Sequence, residues 1–156
     1  MRVIRFTPKP GSDLGNDPLF GVIEDDEKTI SVINGDPLFN GIAKSGQLTN
    51  LDDVRLLAPV LPRSKVLCIG KNYSDHAKEM GGEVPAEPII FLKPNTSVAG
   101  PNDVIHWPWM SERVDHEAEL AIVIGRICKD VPRERASEVI FGYTIGNDVT
   151  ARDLQS

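Results

Sequence analysis

Cysteine is nearly absent from the chain: Cys68 and Cys128 are the only two in 156 residues. Neither lies in a CxxC or zinc-type spacing, so no disulfide framework or cysteine zinc site is expected, and both read as buried free thiols. Clustered basic residues are missing too. The chain has 17 Lys and Arg against 23 Asp and Glu, a formal charge of −6, which argues against a nucleic-acid backbone or an anionic membrane as partner. No apolar run approaches the length of a membrane span, and Met1-Arg2-Val3-Ile4-Arg5 carries charges where a signal peptide needs its apolar stretch, so a cytoplasmic protein is expected. There is no Gly-x-Gly-x-x-Gly opening a helix, no P-loop, no His-Glu-x-x-His and no Gly-x-Ser-x-Gly. Nucleotide, zinc-protease and serine-hydrolase readings therefore lack local support.

What remains fits one ordinary domain, or a small domain plus part of another. Residues 1–60 read as a small β-rich domain, with strands expected at Arg2 to Thr7, Leu19 to Glu24 and Thr29 to Ile33. The acidic turn Asp25-Asp26-Glu27-Lys28 joins the last two as a hairpin, and Asn34-Gly35-Asp36-Pro37 closes the third. Polar groups here are scattered, so packing or cover over a neighbouring site is expected in place of chemistry. Leu61-Pro62-Arg63-Ser64 reads as a linker to a second unit, 61–156, that begins with a short buried strand, Lys65 to Ile69.

The second unit carries the acids. In Arg113 to Gly125 (RVDHEAELAIVIG) Glu117 and Glu119 stand two apart, which puts them on one face of a strand. Leu120 to Ile124 is apolar at every position, as in a strand with little solvent on either side. Two carboxylates entering a core cost roughly several kcal/mol apiece unless a cation or hydrogen bonds answer them. Oxygen pairs of this kind suit Mg2+ or Mn2+, although an isolated Glu-x-Glu is more often the solvated face of an edge strand. Phe141 to Asp148 reads as a strand that delivers Asn147-Asp148 into a turn, making Asp148 a third acid, with Arg152 and Asp153 as a pair steadying that loop.

Asn72 or Ser74 is placed to cap a short helix through Met80, ended by Gly81-Gly82. His76 and Glu79, three apart, share a face of it, as a base and its orienting carboxylate do; such a pair on a short polar helix is more often solvated surface. Glu83 to Pro88 reads as a loop that could act as a lid. Ile89 to Lys93 is a strand stopped by Pro94, where Lys93 meets either a substrate carboxylate or solvent. Val104 to Trp109 is expected to be a short strand with His106 packed beside Trp107. Pro132 is expected to open a helix reaching about Ile140, with Ala136, Val139 and Ile140 inward.

The stretches SKVLCIGKNYSDHAKEM, EPIIFLKPNTSVAGP, DHEAELAIVIG and GYTIGNDVTARDLQ, in this order, resemble the fumarylacetoacetate hydrolase family. The resemblance implies a mainly β fold with short helices (α+β). Its core is a mixed β-sandwich roll, incomplete at its C-terminal end and preceded by the small β-rich domain that many bacterial members carry. It implies one Mg2+ or Mn2+ on Glu117, Glu119 and Asp148, a water-activating dyad of His76 and Glu79, and substrate contact from Gln155, with Arg152 in support. Family substrates are small 2-oxo or 2,4-dioxo acids and their enols, and members are usually dimers, so a homodimer of the full-length form is expected. Lys71 stands where many relatives have Arg, which keeps the charge and loses the bidentate fork. The family's catalytic domain normally continues beyond the Ala-Arg-Asp segment with a catalytic Lys-Gly stretch, so a C-terminally truncated fragment is expected, with activity residing in the complete protein.

The resemblance implies metal chelation of the substrate's 1-carboxylate and 2-oxo oxygen, stabilising an enolate as a neighbouring bond breaks. Hydrolysis of an acylpyruvate, with His76 taking a proton from water, or decarboxylation of oxaloacetate is the leading expectation. Isomerisation or tautomerisation of the same substrates is the alternative, because fold and ligands do not choose the reaction. The third reading is an inactive piece of such an enzyme.

Overall fold

The computed structural model describes residues 1–73 and 85–155. Strands β1 (Arg2–Pro8), β2 (Leu19–Ile23), β3 (Thr29–Ile33), β4 (Lys44–Asn50) and β5 (Val54–Leu57) form one antiparallel sheet in the order β4-β3-β2-β1-β5. The β2–β3 hairpin falls where the acidic turn predicts it. Asp26 holds that turn, accepting from the backbone N–H of Lys28 and Thr29 and from the Thr29 hydroxyl, and these bonds pull its carboxyl down to about 2. Between β3 and β4, Asp36 caps a single helical turn, α1 (Pro37–Asn40), through the Leu38 N–H. That turn, β4 and β5 carry no strong period in the sequence, and tertiary pairing makes them.

One face of this sheet is the core, where Phe6, Ile30, Val32 and Val54 are buried together. Gly21 crosses directly over it. A Cβ there would stand 2.5 Å from the Ile30 side chain and 3.1 Å from the Phe6 ring, so the close approach of β2 requires glycine.

The remaining described strands pair as three two-stranded antiparallel ribbons. They are β6 (Lys65–Gly70) with β7 (Ile89–Pro94), β8 (Val114–Asp115) with β11 (Thr150–Ala151), and β9 (Ala118–Ile124) with β10 (Ile140–Asn147). A groove of about 350 Å³ lies between the five-stranded sheet and the β9–β10 ribbon, lined by Phe20, Leu38 and Val60 on one side and Val123 and Phe141 on the other. Among the described residues no helix is long and apolar enough to cross a membrane.

Several expectations are corrected. β9 alternates: Ala121 and Val123 are half-buried, while Leu120, Ile122 and Ile124 are exposed, because among the described elements only one face of the β9–β10 ribbon is covered. The expected helix after Pro132 is a 3-10 segment, Arg133–Glu138, and Ile140 already belongs to β10. Residues 104–109 form no strand. His106 and Trp107 are exposed, the indole N–H donating to the Ser111 carbonyl at 2.6 Å. Cys128 is exposed and Cys68 half-buried, because Cys128 lies in the loop after β9 and not in a strand.

Candidate metal centre

Antiparallel register brings the three acids together. Glu119 pairs with Gly146 and Ala118 with Asn147, and one step beyond the ladder the Asp148 N–H donates to the Glu117 carbonyl at 2.8 Å. Glu117 thus stands opposite Asp148, on the same face, and Glu119 follows two residues along on that face. The Asn147 side chain locks the junction by accepting from the Glu117 N–H at 3.1 Å. One carboxylate oxygen from each of Glu117, Glu119 and Asp148 lies within 4.8 Å of the others, close to the ~4 Å span of opposite ligands around an octahedral Mg2+.

The acids are half-buried, the Asp148 side chain 9% and that of Glu117 21% exposed. Its Oδ1 is shielded from solvent and accepts no aligned hydrogen bond; its cationic neighbour is the Lys93 ammonium, 2.5 Å away. A hard oxygen donor set of three carboxylates gathered on one half-buried face, one of its oxygens shielded from solvent, fits a divalent cation of the Mg2+ or Mn2+ type.

Charged residues brace this face. Arg152, 10% exposed, donates to Glu117 Oε1, to Asp115 Oδ2 at 3.0 Å and to the Gln155 side-chain oxygen at 2.6 Å. The Glu117 carboxylate is the main reason the guanidinium is held above its ordinary range. The bidentate grip of Arg113 and then the single hydrogen bond from Arg152 pull Asp115 below the usual carboxylate range. Asp153 does not pair with Arg152. It accepts from the Ser111 hydroxyl at 2.6 Å and the Glu112 N–H at 2.7 Å, tying the C-terminal loop to the chain ahead of β8. The Tyr73 hydroxyl accepts from the Leu120 N–H at 3.1 Å, fixing β9 one residue after Glu119.

Of the predicted site residues, Glu117, Glu119, Asp148 and Lys93 come together, and Arg152 and Gln155 flank Glu117. His76 and Glu79 lie outside the described residues. Sequence reasoning missed Asp115, although Asp115, Glu117 and Glu119 share one alternation and so one face. Cys68, expected as a buried free thiol, is half-buried, and burial first, then the charge of Asp148 and Glu119, push its thiol up against the Lys93 charge. Tyr73 gave no signal of its own.

Residues 65–156 match the family model described as fumarylacetoacetate (FAA) hydrolase C-terminal. The chain belongs to the fumarylacetoacetate hydrolase family. Residues 1–59 match a second model, Rv2993c-like, N-terminal. Among relatives of this family, protein Rv2993c of Mycobacterium tuberculosis is 61% identical over 111 residues, 71% of this chain and 42% of that protein. The Bacillus subtilis oxaloacetate tautomerase YisK is 44% identical over 110 residues, 68% of this chain and 36% of its own length. The solved structure of a 5-carboxymethyl-2-hydroxymuconate delta-isomerase from Mycobacterium smegmatis superposes with a TM-score of 0.82 at 46% identity, covering 99% of this chain and 57% of that one. The mainly β architecture with few short helices is thus an incomplete fumarylacetoacetate hydrolase fold. The chain spans roughly two fifths of such curated relatives and just over half of the solved chains.

Proposed function

We propose that the full-length protein is a divalent-metal enzyme that acts on small 2-oxo or 2,4-dioxo acids. The observation that carries this reading is the convergence of Glu117, Glu119 and Asp148 on one half-buried face. These three residues would hold one Mg2+ or Mn2+, which supplies Lewis acidity toward a 2-oxo carboxylate. Residues 1–60 would be the small N-terminal domain and 61–156 the first part of the catalytic domain.

The chain's own groups take the remaining roles. Arg152 holds Glu117 in place and, by donating to the Gln155 oxygen, leaves the Gln155 amide N–H groups to face a substrate oxygen. Lys93 offers a positive charge to a substrate carboxylate. His76, oriented by Glu79 three residues on, would take a proton from the attacking water in hydrolysis. In this reading the protein is a cytoplasmic homodimer, and its acidity keeps it from nucleic acid and anionic membranes.

Tautomerisation or double-bond isomerisation is supported by relatives named oxaloacetate tautomerase and delta-isomerase. Hydrolysis is supported by the His76–Glu79 spacing, and decarboxylation, which needs no attacking water, by the acidic cluster alone. Full-length protein given oxaloacetate or acetylpyruvate with Mg2+, and then with EDTA, distinguishes them: enol–keto interconversion alone is tautomerisation, and pyruvate release is cleavage. Glu119→Ala is expected to abolish the metal-dependent reaction. Unchanged turnover at sub-millimolar metal would falsify the ligand assignment. His76→Ala is expected to impair hydrolysis more than tautomerisation, and equal losses count against a water-activating role.

A further inference from the structure

The cation already on Asp148 is a side chain. Lys93 stands at the end of β7, paired with Val66 of β6, and its ammonium lies 2.5 Å from Asp148 Oδ1, the solvent-shielded oxygen of the acidic cluster. Resting on the reading that a divalent cation binds Glu117, Glu119 and Asp148, we propose that Lys93 competes with that cation for Asp148 Oδ1. Loading the metal then displaces the ammonium and turns it toward the anionic end of an incoming ligand.

An ammonium has three donors and no lone pair, so it cannot join the coordination sphere. A metal bound about 2.1 Å from the same oxygen would meet it at close range, where two cations repel strongly with little screening at a half-buried site. Among the described residues, Lys93 and Arg152 are the basic side chains touching the cluster, and they differ in their freedom to move. Arg152 is 10% exposed and gripped by Asp115, Glu117 and Gln155 at once. Lys93 is 31% exposed, and its flexible four-carbon stem lets the head swing while β7 stays in place. Lys93 is therefore the movable charge and Arg152 the fixed one. The displaced ammonium, still beside the cluster, becomes a carboxylate-binding group after the metal has arrived, which imposes an order of binding.

Mn2+ alone, titrated into full-length protein and followed by the electron paramagnetic resonance of the free ion, tests this with no turnover involved. Lys93→Met is expected to bind Mn2+ about tenfold more tightly than wild type, and Lys93→Arg no more tightly. Equal or weaker binding by Lys93→Met overturns the competition. In the wild-type protein, the carbon-13 signal of the Lys93 ε-methylene, identified by its loss in Lys93→Arg, is expected to shift as Mg2+ saturates the site. A signal that stays put at saturation overturns displacement even where Lys93→Met does not fold. Glu119→Gln separates the two failures: if it binds Mn2+ as tightly as wild type, the metal reading itself falls.

Discussion

In the amino-terminal sheet Phe6 and Ile30 are fully buried, with Val32 and Val54 against them, whereas on the β9–β10 ribbon Leu120, Ile122 and Ile124 are 61, 52 and 51% exposed. The first unit turns its apolar residues inward and closes a core of its own. The second turns carboxylates toward the half-buried face and apolar side chains outward, with Tyr143 and Ile145 adding to the exposed surface. A two-stranded ribbon is marginal alone, and a contiguous apolar face of this kind is what another layer of structure ordinarily covers. Stability and the acidic cluster are held by different parts of this chain. Packing around Phe6 supports the first, and register between β9 and β10 supports the second.

The largest effect expected from that contrast is on stability. Phe6→Ala should cost about 3–5 kcal/mol, as for other buried aromatics cut to alanine, while Ile122→Ala, already half in solvent, should cost less than about 1 kcal/mol. Urea unfolding of the 156-residue chain measures both, and comparable losses would erase the distinction between the sheet and the ribbon. Next comes Arg152→Met, which removes the clamp on Glu117 and Asp115. It should weaken Mn2+ binding about 10–100-fold, the usual loss when a group orienting a ligand is removed. Its melting temperature should move far less than that of Phe6→Ala; a variant that melts early with metal affinity intact would make Arg152 a structural residue.

The smallest effect lies in the β2–β3 turn. The Asp26 carboxyl is lowered from 3.8 to about 2, chiefly by the Thr29 hydroxyl. A carboxylate lowered in the folded state contributes stability that is present above its unfolded value and is lost as pH falls through the folded one. Asp26→Asn should therefore flatten the loss of stability between about pH 4 and pH 2, read from melting temperatures across that window. An unchanged acid profile would place the acid sensitivity elsewhere.

Much of this division was legible in one dimension. The β2–β3 hairpin, β6, β7 and β10 follow from apolar runs and their punctuation, although β6, expected to be buried, leaves Leu67 60% exposed, and Glu117 and Glu119 follow from their spacing. The Asp115-Glu117-Glu119 alternation also contained the third partner of Arg152, passed over because Asp115 lies in a different short strand. β4, β5 and the 3-10 segment at Arg133–Glu138 were not legible, since Lys44-Ser45-Gly46-Gln47 has no apolar period and a proline at a helix start suits either helix type. The outward face of β9 was misread for a related reason: five apolar residues in a row state that both faces are suited to burial, not that both are covered.

The amino-acid order alone determined the family, the strands that carry the acids and the placing of two carboxylates on one face, because strand periodicity is a local property of the backbone. Tertiary structure alone decided that Asp148 stands opposite Glu117, that Lys93 reaches its buried oxygen and that Arg152 grips Asp115 and Glu117. Those contacts join residues distant in sequence, and only the antiparallel register and the packing of one ribbon on another set the distances between them.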